Sequence, residues 1–327
     1  MSTGAAAAFV TDVAARPRAG RIVAVLVFAG LASAPLAAPF GAEGYVLSIL
    51  TRLMIFALAA LSLDLILGYG GLISFGHAAF LGIGAYSVGI LTSHGVGDVL
   101  VHLATALAVS ALVALVVGAL SLRTQGVYFI MITLAFGQML FFHATSLAAY
   151  GGDDGMTLPS RSLVFGRDLL GSDRVFYYVV LACLLLAYLL CRAIVGSRFG
   201  RVLRGSRENP VRMQALGFNP LAFQLTAFVV AGMLCGVAGF LLANHTGFVS
   251  PAYMTWQRSG DLIFMTVLGG LGSGIGAVVG AAAFLLLEEF LSEATEHWRM
   301  IFGPLLILVV VFGRGGIMGF VNARRHG

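Results

Sequence analysis

The sequence contains no lysine, and only 10% of its 327 residues are charged. Soluble domains carry about 25% charged residues, because a folded protein of this size leaves a large surface in water. Hydrophobic residues instead make up 59% of the chain, and the mean hydropathy is +0.98. This composition excludes a soluble globular protein and indicates an integral membrane protein with several spans.

The lack of lysine also excludes the phosphate-binding sequence GxxxxGK[ST], so the chain carries no ATP site of that kind. The 19 arginines are spread among the loops rather than gathered in a basic domain, which argues against a nucleic-acid partner. Cysteine is scarce as well, and Cys183, Cys191 and Cys235 match no metal motif by number or spacing. We therefore expect no catalytic site, no metal site and no cofactor in this chain.

Apolar runs of bilayer-spanning length predict an all-α, polytopic fold. We predict ten hydrophobic segments: 22–40, 45–67, 78–93, 99–121, 126–147, 174–191, 221–243, 260–271, 275–292 and 300–313. The third, eighth and tenth are short and are candidates for half-spans or broken helices. A cleaved signal peptide is an alternative for the first segment, since arginines precede it and small residues at 32–34 resemble a cleavage site.

The distribution of arginine predicts the orientation. With both termini in the cytoplasm, thirteen arginines lie in inner loops and tails, five lie in outer loops, and Arg52 lies within a span. Inner loops of membrane proteins carry an excess of Arg and Lys. The sequence therefore favours two cytoplasmic termini.

The stretch GYGGLISFGHAAFLGIGAY, residues 68–86, is rich in glycine although it lies between apolar runs. Gly70 and Gly71 predict a break or a tight turn, and irregular backbone at membrane depth is tolerated only against protein or a cavity. Two interpretations remain open, namely close helix packing with a turn, or a broken helix that lines a translocation path.

Polar side chains near this stretch favour the second interpretation, because such groups at membrane depth usually face the bundle interior. The candidate pathway residues are Gly70, Gly71, Ser74, His77 and Asp64. A weak internal repeat accompanies them, since GGLIS at 70–74 returns as GGLGS at 269–273. Transporter folds often contain two related halves.

The longest predicted cytoplasmic loop contains RFGRVLRGSRENPVRMQALGFNP, residues 198–220. Asn209 is a candidate helix cap, Pro210 suits the first helical position, and Gly217 suits a left-handed ending. The segment 193–219 is either an ordered connector or a docking surface for a cytoplasmic partner. The candidate coupling residues are Arg201, Arg204, Glu208 and Arg212.

Ionisable groups within the spans leave a proton- or sodium-driven secondary carrier open. They are Asp64, His77, His143, Asp261, Glu288 and Glu289. A purely structural membrane-assembly subunit is a third alternative.

Several motifs together resemble one family along residues 45–320. They are LGYGGLISFGHAAFLGIGAY (67–86), RTQGVYFIMITLAFGQML (123–140), GGDDGM (151–156), RENPVRMQALGFNP (207–220), GFVSP (247–251) and SGDLIFMTVLGGLGSGIGAVVGAAAFLLLEE (259–289). The chain resembles the LivM-type permease subunit of bacterial branched-chain amino-acid ATP-binding-cassette importers.

The resemblance implies a non-enzymatic permease domain over residues 1–327, in a bacterial inner membrane, with residues 193–219 as its coupling segment. The implied partners are a second homologous permease of LivH type, two ATP-binding-cassette ATPase subunits that bind the ATP, and a periplasmic solute-binding protein. The implied solute is leucine, isoleucine or valine, with urea, short amides and other amino or organic acids as alternatives. Asp64 and Asp261 depart from the family pattern, which commonly has asparagine and glutamate at these positions.

Overall fold

A computed structural model describes residues 17–37, 43–294, 297, 300, 302–304 and 315–323. The described chain is all-α apart from one short strand pair. Six of its helices are long and apolar enough to cross a membrane. The prediction of an all-α, polytopic membrane protein is therefore confirmed.

Twelve α-helices are found in the described residues. They are α1 (Pro17–Ala37), α2 (Glu43–Asp64), α3 (Ala78–Ser93), α4 (Val99–Ser121), α5 (Val127–Ser146), α6 (Asp173–Gly196), α7 (Arg198–Glu208), α8 (Pro210–Ala215), α9 (Pro220–Thr246), α10 (Trp256–Gly269), α11 (Ile275–Ala294) and α12 (Gly316–Ala323). Shorter elements are a π-helical turn (Leu65–Tyr69), 3-10 turns (Ala148–Tyr150 and Pro251–Met254), and the strands β1 (Met156–Thr157) and β2 (Phe248–Val249).

Nine of the ten predicted hydrophobic segments overlap helices in the described residues. The third and eighth correspond to α3 and α10, which have 16 and 14 residues and are shorter than a full span. The tenth segment, 300–313, lies mostly outside the described residues. The signal-peptide alternative for the first segment stays untested.

Helices α2, α3 and α9 form the centre of the bundle. Helix α9 packs against α2, α3 and α4, while α2 also packs against α6 and α11. Residues 53–68 of α2 and its π-helical turn are buried without a gap. Helices α4, α5 and α6 instead expose much of their apolar surface, as expected for the outer layer of a membrane bundle.

The long helices alternate in direction and so define two faces of the molecule. On one face, Gly68 at the end of α2 lies against Gly272, and Arg207 contacts Gly68. On the other, His245 at the end of α9 lies 3.4 Å from Ser48 near the start of α2. We call the first the glycine face (residues 68–71, 122–126, 197–219 and 270–274) and the second the loop face (residues 94–98, 147–172 and 247–255).

A strand pair and an arginine are among the contacts that hold the loop face together. Strands β1 and β2 pair antiparallel, with Met156 opposite Val249. The Arg161 guanidinium donates to the carbonyls of Asn244 and Leu170 and to Asp173 Oδ1. The long loop is thereby fixed to the ends of α6 and α9.

Candidate functional site

The predicted break at Gly70 and Gly71 is confirmed. Helix α2 continues into the π-helical turn and ends at Gly70. Gly71 has a φ of +70°, a conformation that side chains with a Cβ rarely adopt. No regular helix follows until Ala78, where α3 begins.

The segment 71–77 turns back into the bundle, so that α3 begins at membrane depth. The backbone N–H of Phe75 donates to Thr133 Oγ1 of α5. His77 Nε2 lies 2.8 Å from Ser62 Oγ of α2. Ser62 precedes Gly70 by eight residues, or about 12 Å along the helix axis.

A second interruption follows α9. Gly247 ends that helix with a φ of +63°, and the chain passes through β2 and a 3-10 turn before α10 begins at Trp256. The backbone N–H of Ala78 donates to Ser259 Oγ over 3.0 Å. The first turns of α3 and α10 therefore meet inside the bundle. Each follows a long helix and a break, and the two short helices point to opposite faces.

The second copy of the weak glycine repeat lies on the glycine face, against residues that precede the first copy. A Cβ on Gly68 would overlap Asp64 Oδ1 and the backbone of Gly272. Asp64 is fully buried, and its Oδ1 and Oδ2 accept the backbone N–H groups of Gly272 and Gly274 at 2.8 and 3.0 Å. Asp64 thus holds the turn between α10 and α11.

Arg207 is a functional candidate that the sequence analysis missed. It lies in the last turn of α7, and its Nη1 donates to the Gly68 carbonyl. A Cβ on Gly71 would come within 2.8 Å of Arg207 Cγ. The predicted cytoplasmic segment therefore contacts the break directly. The sequence offered no specific signal, because Arg207 is one of several arginines at helical spacing.

Ser74 and His77 are both fully buried in the single chain. Ser62 Oγ donates to the Ala59 carbonyl, so its contact with His77 requires that the imidazole donates from Nε2. His77 Nδ1 is then a bare acceptor. Within the described part of the chain, neither His77 Nδ1 nor Ser74 Oγ has a hydrogen-bond partner. Such buried groups are uncommon in native structures and call for an explanation.

A cavity of about 470 Å³ opens at the glycine face. It lies between the break, the α4–α5 turn, α7, α8 and the start of α9. Its lining includes Gly70, Gly71, Arg123, Gln125 and Arg207. Two of the candidate pathway residues therefore line this cavity, whereas Asp64, Ser74 and His77 do not.

The local structure predicted for the segment 198–220 is confirmed. Asn209 caps α8, since its Oδ1 accepts the backbone N–H of Arg212 at 2.9 Å. Pro210 occupies the first helical position. Gly217 has a φ of +84°, which ends the helix as expected.

The four candidate coupling residues differ in exposure. Arg201, Glu208 and Arg212 are exposed. Arg204 is half-buried, and its guanidinium donates to the Val195 and Gly200 carbonyls at 3.3 Å, so it joins α7 to the end of α6. Helix α8 buries no residue. The apolar side chains of Val211 and Leu216, at its two ends, are largely exposed.

The ionisable groups of α2 and α11 pair with one another toward the loop face. Arg52 lies 3.7 Å from Glu288 and 3.9 Å from Glu289. The Tyr45 hydroxyl donates to Glu289 Oε1 at 2.9 Å. This network ties the two helices together and accounts for Arg52 within a span.

The placement of Arg258 in an outer loop is wrong. Arg258 lies in the first turn of α10, and its guanidinium lies 5.8 Å from the ring centre of Phe56, in the middle of α2. The predicted eighth segment begins at residue 260, because Arg258 and the polar residues around it lower the local hydropathy.

Comparison with known families identifies the family of this chain. Residues 45–311 match the family described as the permease component of branched-chain amino acid transport systems. The match covers most of the chain, including the break between α2 and α3, the interruption between α9 and α10, and the helices between them. The chain belongs to this family.

Relatives of the permease carry names of the same kind. It is 28% identical to the LivM permease protein of the high-affinity branched-chain amino acid transport system of Escherichia coli K12, over 91% of this chain and 74% of the relative. It is 27% identical to BraD of the corresponding Pseudomonas aeruginosa system, over 81% and 91%. Escherichia coli LivH is 34% identical over 38% of this chain and 40% of its own. No solved structure matches the permease.

Proposed function

We propose that the permease domain, residues 1–327, is one of two membrane subunits of an ATP-binding-cassette importer that carries branched-chain amino acids into the cytoplasm. The family match over residues 45–311 carries this proposal, together with relatives named for branched-chain amino acid transport. The partial similarity to LivH supports a second, homologous permease as the partner in the membrane.

Charge supports a cytoplasmic location of the glycine face. Arg123 and the arginines of α7 and α8 lie there, whereas Arg161 and Arg167 lie in the described loop face. The positive-inside rule assigns the richer face to the cytoplasm. Helix α1 begins on the same face, because Leu31 near its other end accepts a hydrogen bond from Tyr177 near the start of α6. This agrees with a cytoplasmic N-terminus.

The surface of α7 and α8 suits a cytoplasmic ATPase subunit. Val211 and Leu216 expose apolar area beside Arg201, Glu208 and Arg212. Interfaces commonly combine apolar centres with a charged rim. We assign this surface within residues 193–219 to ATPase docking, and we propose that the partner subunits bind the ATP.

Arg207 connects this docking surface with the break. Its guanidinium contacts Gly68 and its side chain packs against Gly71. Asp64, one turn before Gly68, binds the α10–α11 turn through Gly272. A movement of α7 is thereby passed to both glycine turns.

The interior break provides the central part of the proposed path. Helix termini inside a membrane protein present backbone groups to a solute, and the first turns of α3 and α10 meet beside His77 and Ser74. Gly70 and Gly71 line the cavity at the glycine face, which we assign as the cytoplasmic exit.

Reconstitution tests the proposed function. The permease, its partner permease, two ATPase subunits and the binding protein are placed in proteoliposomes, and uptake of radiolabelled leucine, isoleucine and valine is measured with and without ATP. We expect ATP-dependent uptake that excess unlabelled leucine abolishes. Uptake of urea or a short amide instead of these amino acids would contradict the assignment of the solute.

Substitution of Val211 tests the docking surface. Val211→Glu places a charge in the apolar part of the surface, and we expect at least a severalfold loss of solute-stimulated ATP hydrolysis and uptake. Val211→Ala, which shortens the side chain but keeps the position apolar, is the matched control. Equal activity of both variants, with normal membrane levels, would show that α8 is only a connector.

A further inference from the structure

An ion pair lies on the outer surface of α10, far from either face. Arg258 Nη1 lies 3.4 Å from Asp261 Oδ2, and each side chain is 34% exposed in the single chain. The Arg258 guanidinium lies over the ring of Phe56 in α2. Phe56 precedes Gly68, in the π-helical turn after α2, by twelve residues. At 1.5 Å per residue this places the pair about 18 Å from the glycine face.

The depth of the Arg258–Asp261 pair in the membrane explains why its partial exposure matters. The hydrocarbon core of a bilayer is about 30 Å thick, so the pair lies near its middle. Charged side chains at this depth face a bundle interior or a water-filled cavity rather than lipid. The exposed side of α10 is therefore covered by protein and water in the assembled importer.

The surface beside the pair contains a notch. Trp256, Gly260 and Phe264 follow at four-residue spacing, which places them in one line along α10. Trp256 and Phe264 are exposed, whereas a Cβ on Gly260 would meet nothing within 4 Å. Two aromatic side chains thus flank an open space next to Asp261.

The same turn of α10 adjoins the interior break. Ser259, next to Arg258, accepts the backbone N–H of Ala78. His77 directly precedes Ala78 and Ser74 lies four residues before it, and each has a polar atom without a hydrogen-bond partner among the described residues. The surface pair and the meeting point of the two short helices therefore belong to one region of the molecule.

We propose that Arg258, Asp261 and the line of Trp256, Gly260 and Phe264 form a subsite for a zwitterionic amino acid in transit. The Arg258 guanidinium donates to the solute carboxylate, and the Asp261 carboxylate accepts from its ammonium group. The aliphatic side chain of the solute occupies the notch at Gly260. When no solute is present, the two protein charges neutralise each other. This inference rests on the proposed function, since only a zwitterion needs both charges.

A purely structural pair accounts less well for these observations. Exposed ion pairs add little to helix stability in water, and at membrane depth each charge must also be desolvated. A path that contains water explains why a partly exposed ion pair is tolerated at this depth, and the carboxylate and ammonium of the solute match its two charges.

Neutralising or exchanging the two charges distinguishes a solute subsite from a purely structural ion pair. In the complete importer we expect Arg258→Gln and Asp261→Asn each to lower leucine uptake about tenfold or more, because a charge-assisted hydrogen bond is lost. ATP hydrolysis without solute and co-purification of the subunits should not change. Gln257→Ala, at an exposed neighbouring position, is the control and should leave uptake intact.

The reversed pair, Arg258→Asp with Asp261→Arg, keeps an ion pair but exchanges the positions of the two charges. A structural role predicts that uptake recovers, and this result would overturn the subsite. The subsite predicts that uptake remains low, because the ends of the solute no longer match the surface.

A cysteine reporter gives a readout that does not depend on uptake. In a complex without Cys183, Cys191 and Cys235, Phe264→Cys should react with a small water-soluble thiol reagent, and leucine should slow the reaction. Leu112→Cys, on the exposed apolar surface of α4, should stay unreactive. The subsite would be overturned if the Phe264→Cys variant were as unreactive as Leu112→Cys. It would also be overturned if no zwitterionic amino acid slowed the reaction of Phe264→Cys. If an unbranched amino acid slowed the reaction and leucine did not, only the proposed solute would be overturned.

Discussion

Arg207 shows how much a single side chain contributes to this architecture. It is the residue of α7 that hydrogen-bonds to the end of α2, and its stem packs against Gly71. We expect Arg207→Gln to lower the amount of leucine transported per ATP hydrolysed by at least severalfold, because the segment proposed to bind the ATPase subunit then loses its contact with the break. Both quantities are measured on the same proteoliposomes.

Two further variants make this result specific. Arg207→Lys keeps a charged donor and should recover part of the leucine transported per ATP hydrolysed. Arg192→Gln changes an exposed arginine near the end of α6, outside residues 193–219, and should behave as wild type. An unchanged ratio in Arg207→Gln would refute the proposed connection.

At the residue scale, the sequence predicts what depends on near neighbours. The Asn209 cap was predictable because its partner, Arg212, is three residues away. The role of Asp64 was not, because its partner Gly272 lies 208 residues further along the chain. An aspartate within a span indicates a buried polar role, but only the packed structure shows that the role is to hold a turn.

Among the elements, the break between α2 and α3 is the part that we expect to move. Ser74 and His77 are buried in this structure, and each has a polar atom without a partner among the described residues. We expect single Ser74→Cys and His77→Cys variants to resist a water-soluble thiol reagent in the resting complex and to react after nucleotide binds. Opening of the path would bring water to these groups.

The labelling is performed in a complex without the three native cysteines, at matched expression. Reaction in the resting state would contradict the packing described for α3. Protection in every nucleotide state, with transport intact, would restrict residues 70–77 to helix packing.

The sequence also predicted elements unequally. The short lengths of α3 and α10 were predictable from the apolar runs, and the break from Gly70 and Gly71. The meeting of Ala78 with Ser259 was not predictable, because the motifs that contain these residues do not indicate which of them pack together. The weak glycine repeat was interpreted as a sign of two related halves, but it does not mark the positions at which the two short helices begin.

We expect the whole molecule to be a membrane component that depends on partner subunits for its energy. Because the sequence lacks the lysine of a phosphate-binding loop, we expect the purified permease in lipid to hydrolyse no ATP and to accumulate no leucine under a pH gradient. Adding the other importer subunits should restore ATP-dependent uptake. Strong accumulation driven by a pH gradient with this chain alone would favour the secondary carrier.

The contact between Asp64 and the turn at Gly272 also has a consequence for biosynthesis. Because 208 residues separate the two partners, the ribosome needs about 10 to 40 s to make the second after the first, at 5–20 residues per second. During this interval α2 is in place without the N–H groups that Asp64 will bind. The early helices therefore depend on insertion factors or on one another until α10 and the turn after it are made.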